Sequence, residues 1–183
     1  STVLIGEQCW FSENCRYLPS VSSSSPYSNT TPYYYVYNYQ GTDVEEAKAT
    51  ENYDTYGVLY NWPAVMTENI CPSGWHISLV EEFAQLIDYL DTEEAACDAM
   101  KSTTGWYNDL NGTNSSGFNG LPGGQAHPLG FADIEHRSLF WTSSVNDSQS
   151  PFFLALYHQD NNCVLGEGVN DAYTGYSARC IKD

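Results

Sequence analysis

Six cysteines, Cys9, Cys15, Cys71, Cys97, Cys163 and Cys180, are the first residues in this chain that could do chemistry. No two stand at C-x-x-C spacing, and His76, His127, His136 and His158 are scattered rather than set at ligand intervals. Structural zinc draws on closely spaced ligand pairs, so no metal centre is expected. An even cysteine count with little lysine suits disulfides made in an oxidising, extracellular setting. Six buried free thiols in a cytosolic protein is the competing reading. Six cysteines allow fifteen pairings, and spacing alone does not choose among them.

Other chemical signatures fail on the residues beside them. Gly112 to Gly117 has the spacing of a phosphate loop, but Phe118 follows where a lysine is needed. The chain has no G-x-S-x-G elbow, no H-E-x-x-H and no dinucleotide fingerprint. Twenty-three acids always contain carboxylate pairs, so they single out no glycosidase site. The expectation is a non-catalytic protein without cofactor, with a polysaccharide-active enzyme ranked behind. Asn108, Asp109, Asn111 and Asn114 crowd one loop; Asp160 with Asn161, and Glu167 with Asn170 and Asp171, crowd two others. Such oxygens suit calcium. The same residues also favour turns, because they hydrogen-bond nearby backbone, and turn chemistry is the expectation. Trp106 beside Asn108, Asp109 and Asn111 would suit a sugar, with a ring to stack on and polar groups to orient hydroxyls. Asn29, Asn111, Asn114 and Asn146 open N-glycosylation sequons.

Charge narrows the partners. Six Lys+Arg against 23 Asp+Glu give 6 − 23 = −17. A nucleic-acid binder needs a basic stripe to displace counterions, and an anionic membrane surface attracts basic segments, so both are disfavoured. With 42% apolar and 15% aromatic residues the chain has a core to bury and is not disordered. No apolar run reaches the ~18–20 residues of a membrane span. No charged-then-apolar leader opens the chain, as expected of a mature or trimmed sequence. At 183 residues, one domain over 1–183 is expected.

The elements that must position these residues are short. Thr2, Val3, Leu4 and Ile5 form an apolar β-prone run that Cys9-Trp10-Phe11 resumes after Gly6, as a strand pair or one bent strand. Ser20 to Pro32 reads as a surface loop. Tyr33, Tyr35, Tyr37 and Tyr39 fall on one face of a strand by period two, a ladder suited to core, glycan platform or subunit contact. Asp43 to Thr50 predicts a short helix, Tyr56 to Trp62 a strand, and Pro63 a first helical position. Ser78-Leu79-Val80-Glu81 has capping-box spacing, and Phe83, Leu86, Ile87 and Leu90 then line one helix face. A second helix runs from a Thr92 cap to about Lys101. Residues 138–143, 151–158 and 175–182 predict strands. Two main helices among strands with long loops give α+β.

Several runs recur in a familiar order: Ile5-Gly6-Glu7-Gln8-Cys9-Trp10-Phe11 with Glu13-Asn14, Tyr56-Gly57-Val58-Leu59-Tyr60-Asn61-Trp62, Cys71-Pro72-Ser73-Gly74-Trp75-His76 and Lys101-Ser102-Thr103-Thr104-Gly105-Trp106. Residues 112–119 lead into Leu121-Pro122-Gly123-Gly124, and Phe140-Trp141-Thr142-Ser143-Ser144 and Ala178-Arg179-Cys180-Ile181-Lys182-Asp183 complete the set. Together they resemble the FISUMP family, the paralogous domain named for its abundance in Fibrobacter, over nearly the whole chain. The resemblance implies a C-type-lectin-like α+β fold, distantly like that of formylglycine-generating enzymes, in a bacterial surface or secreted context. It implies no established activity. It also implies a Cys71–Cys180 bridge, and closing such a loop of about 100 residues is worth roughly 4–5 kcal/mol in the chain-entropy model. Cys15–Cys97 and Cys9–Cys163 are then the expected further bridges.

The function expected from these residues is a structural or adhesive module of a bacterial surface protein, with filament assembly as one form. Its partner is another copy, through Thr2–Ile5 and the tyrosine ladder, because an open strand edge and exposed tyrosines both favour association. A carbohydrate-binding module with a surface glycan as partner is the alternative.

Overall fold

The computed structural model describes residues 1–159, 163–168 and 171–183. β1 (Thr2–Ile5) and β2 (Gln8–Phe11) form a hairpin, so the opening run is a strand pair. Gly6 takes φ 60° in its two-residue turn, the left-handed value that a type II′ hairpin asks of its first position. β3 (Tyr34–Tyr35) follows the Ser-rich loop, then α1 (Val44–Lys48) and α2 (Glu51–Tyr56), capped by Asp43 and Thr50 side chains. β4 (Leu59–Tyr60) leads into α3 (Trp62–Val65), whose Asn61 cap accepts from the Ala64 N–H. The strand expected over 56–62 is therefore cut at both ends by helix.

β5 (Trp75–Ile77) precedes α4 (Val80–Tyr89) and α5 (Glu93–Met100). The capping expectation is off by one residue. The cap is Leu79, and Glu82 rather than Glu81 reaches back to accept from the Leu79 N–H at 2.7 Å. Ser78 Oγ is buried without a partner. Phe83 and Leu86 on α4 are fully buried, as their spacing requires. β6 (Gly123–His127) and β7 (Gly130–Ile134) make a second hairpin, followed by β8 (Arg137–Val145), β9 (Pro151–Tyr157) and β10 (Cys163–Glu167). The strand expected over 175–182 is two pieces, β11 (Ser177–Ala178) and β12 (Cys180–Lys182), interrupted at Arg179.

Two four-stranded sheets result, in orders β1-β2-β12-β5 and β10-β9-β8-β11, with β3-β4 and β6-β7 as two-stranded additions. All described pairs are antiparallel except β11 on β8. The chain is thus a mixed α/β protein with few helices. One core packs Trp10 against Phe83 (5.1 Å) and Phe118 (5.8 Å), under α4 and α5. A second gathers Tyr60, Trp141, Tyr176 and Cys15.

Cys71 is bonded to Cys180, and Cys97 to Cys163. The Cys15–Cys97 and Cys9–Cys163 pairings are corrected by packing. Cys97 lies in the helical core, where α5 runs beside the start of β10, while Cys15 lies in the other core. Cys9 sits on β2 opposite Leu4. Cys9 and Cys15 are free thiols.

Candidate functional site

The N-terminal strand is both paired and open. β1 binds β2 on one side and is the edge of its sheet on the other. In a two-residue hairpin the flanking pair, Ile5 and Gln8, exchanges both hydrogen bonds, and so does Val3 with Trp10. Leu4 therefore turns its N–H and C=O to the open edge. Its side chain is 69% exposed, while Ile5 two residues from Val3 is buried on the core face. Cys9 is the cross-strand neighbour of Leu4. Phe11 and Trp75, half-buried with ring centroids 4.7 Å apart, carry apolar surface across the same sheet.

The tyrosine ladder does not exist as a strand face. β3 stops at Tyr35, and Asn38 takes a left-handed φ of 61° that breaks any extension. Tyr35 is buried with Leu59 and Ala126, and its hydroxyl donates to Pro26 O. Tyr33 and Tyr37 flank it, Tyr37 against Phe131 at 5.2 Å. Tyr39 instead donates to Glu46 Oε2. Tyr33, Tyr35 and Tyr37 thus share one small cluster inside the fold while Tyr39 packs elsewhere, and the four do not form a self-assembly surface.

The Trp106 loop is corrected too. Trp106 is only 3% exposed, with its Nε1–H donated to Ser102 Oγ and Lys101 Nζ 4.7 Å over its ring. A ring so enclosed cannot stack on a sugar. Asn111 Oδ1 accepts from the Trp106 N–H, and Asn108 and Asp109 hold left-handed φ values of 53° and 56°. These are turn roles. Asn114 does likewise, taking the Asn119 N–H at 2.8 Å. Asp160, Asn161 and Asn170 lie outside the described residues.

Three arrangements had little signal in the sequence. Arg179 is wholly buried and forms no salt bridge among the described residues, although the Glu13 charge reaches it. Its guanidinium donates to Phe11 O, Phe118 O and Asn14 Oδ1, and lies 4.3 Å over the Phe118 ring. Burial lowers its pKa to about 9, which still leaves it charged at neutral pH. With Lys101 also buried, at most four of the six Lys and Arg stand at the surface of a chain that carries 23 acids. The second arrangement is His76, whose Nδ1 lies 2.7 Å from Asp183 Oδ1 and whose Nε2 lies 2.9 Å from Glu82 Oε1. The third is an aromatic patch. Tyr27, 61% exposed, meets Tyr173 at 5.4 Å, and Tyr173 meets His127 at 6.0 Å. No helix is long and apolar enough to cross a membrane among the described residues.

Residues 3–182 match the family model described as Fibrobacter succinogenes major domain. No curated protein and no solved structure matches the chain.

Proposed function

The chain belongs to the Fibrobacter succinogenes major domain family, and from that footing we propose a non-catalytic structural module of an extracellular bacterial surface protein. It assembles with further copies through the open edge of β1. The supporting observation is Leu4, whose backbone and 69% exposed side chain both face away from the fold on the edge strand of its sheet. Such an edge is a template for pairing unless charge or proline blunts it, and β1 carries neither. The fold proposed with this reading is C-type-lectin-like, supported by two main helices packed on mostly antiparallel sheets, with one disulfide fastening α5 to β10 and the other the segment before β5 to β12. Contact between β1 and a different edge on the next copy gives a filament, whereas β1 on β1 closes as a dimer. The −17 charge opposes association at long range, and salt screens it beyond about 8 Å at physiological ionic strength.

Sedimentation of the wild-type chain and Leu4→Lys at several concentrations tests this. Concentration-dependent assemblies that Leu4→Lys dissolves are expected. A 20.4 kDa monomer throughout overturns the reading.

The Tyr27–Tyr173 patch favours a second reading, a glycan-binding module, since an exposed ring can stack on a sugar face. A glycan array with Tyr27→Ala as control separates it from scaffolding. Binding that this variant abolishes supports the second reading, and no binding removes it.

A further inference from the structure

Three sulfurs meet in the core that holds Tyr60 and Trp141. Cys15 Sγ lies 3.3 Å from Cys180 Sγ, and the sulfurs of Cys15, Cys71 and Cys180 all fall within 4.8 Å of one another. Cys180 is bonded to Cys71, so a free thiol touches an existing disulfide. We propose that Cys71–Cys180 is one of two interchangeable bridges, and that exchange with Cys15 delivers a reactive thiol to Cys71, an attachment site for electrophiles and disulfide-bearing partners.

The two ends of the exchange differ in exposure. Cys15 is buried, while Cys71 is half-buried and lines a cavity of about 260 Å3 with Ile70, Thr67, Trp75 and His76. The thiol thus moves from a sealed position to one that opens outward. Exchange proceeds through a thiolate. Burial raises the Cys15 pKa to about 12, and the Arg179 charge acts the other way. The acceptors hydrogen-bonded to that guanidinium are neutral and Glu13 is the carboxylate whose charge reaches it, so a Cys15 thiolate adds a further counter-charge. His76, held by Asp183 and Glu82, lines the same cavity as the leaving sulfur.

The step balances without an outside reagent. Cys15 gives up its proton, and its thiolate turns to attack Cys180 Sγ in line with the existing bond. The Cys15–Cys180 bond forms as the Cys71–Cys180 bond breaks. The electron pair leaves on Cys71, which takes a proton from solvent. One disulfide and one thiol stand on each side, and such rearrangements run over minutes to hours.

The test uses the full chain with Cys9→Ser, which removes the other free thiol. Native protein is held with iodoacetamide at neutral to mildly alkaline pH, quenched in acid, digested in acid and mapped by mass spectrometry. Carbamidomethyl is expected to build up on Cys71, together with a linked Cys15–Cys180 peptide, while Cys97–Cys163 stays intact. The rate should rise about tenfold per pH unit, since thiolate is scarce. Adding Cys15→Ala should abolish the Cys71 label. A second variant, Cys71→Ser, should oxidise in air to a Cys15–Cys180 bridge. Label confined to Cys15, no label after days, Cys71 label that survives Cys15→Ala, scrambling of Cys97 and Cys163 at the same rate, or failure of Cys71→Ser to form the bridge would each overturn the proposal.

Discussion

Asn14 Oδ1 accepts a 2.7 Å hydrogen bond from Arg179 Nη2, and the two residues stand 165 positions apart near opposite ends of the chain. Asn14 also donates to Tyr56 O and to Ser177 Oγ, so one amide ties the segment after β2 to α2 and to β11. The guanidinium in turn reaches Phe11 O and Phe118 O. This buried polar hub joins the segment after β2, the 112–119 loop and the break between β11 and β12, alongside the apolar Trp10–Phe118 contact.

Removing one partner of a buried, hydrogen-bonded charge leaves the other without compensation. Asn14→Ala should therefore lower stability by about 3 kcal/mol, and Arg179→Leu by about 3–5 kcal/mol, because it strands two backbone carbonyls. Arg179→Lys should not rescue, since an ammonium cannot reproduce the planar fork. Urea unfolding midpoints check all three. Variants within about 0.5 kcal/mol of wild type, the range of ordinary surface changes, would remove the hub from the account.

His76 makes stability depend on pH. Burial alone would lower its pKa, but Asp183 and Glu82 outweigh burial and raise it. A folded-state value above the unfolded value of about 6.5 means that the charged imidazole stabilises fully below that pH. The contribution fades as pH rises through the higher folded value. Unfolding of wild type and His76→Gln at about pH 5.5 and pH 9 should show a gap that narrows on the alkaline side. Because the pair is partly exposed, the gap is expected to be small and to shrink in high salt. A gap that widens with pH contradicts the assignment.

Local rules made much of the fold legible. The Gly6 hairpin, the Asp43 and Thr92 caps and the apolar face of α4 follow from spacing within a few residues. What the sequence hid depends on distant partners. Tyr33 to Tyr39 alternates like a strand, yet Asn38 ends the extension and the β6–β7 hairpin claims Tyr37. Trp106 sits in a polar loop that looks exposed, but Lys101 and Ser102 close over it. Arg179 looks like a surface cation in sequence, because nothing local shows that Phe11, Asn14 and Phe118 converge on it. The bridges divide the same way. Family resemblance supplied Cys71 with Cys180, while Cys97 with Cys163 needed the packing of α5 beside β10.

The Cys97–Cys163 bridge spans 66 residues and fastens α5 to the start of β10. Replacing both cysteines with alanine should cost about 4 kcal/mol in the chain-entropy model, and losing Cys71–Cys180 slightly more, because its loop of 109 residues is longer. Denaturation of the two double variants, each compared with wild type, gives the ranking. Equal losses, or a larger loss at Cys97–Cys163, would show that loop length does not set the order.

Gly57 sets a tighter backbone test. It ends α2 at φ 73° and ψ −141°, a region that side chains avoid, and a Cβ there would lie 2.8 Å from Cys15 O. The Val58 N–H donates to that same carbonyl at 3.1 Å, so the carbonyl cannot retreat without breaking the bond that holds Cys15 in place. Strain and clash act together, and Gly57→Ala should lose about 2–3 kcal/mol. Gly74, also left-handed at φ 81° but with no atom within 4 Å of a built Cβ, is the control for strain without clash. Gly74→Ala should lose about 1 kcal/mol, the lower end of such backbone costs. If the two variants unfold at the same denaturant concentration, the Cys15 carbonyl is not fixed where this packing places it.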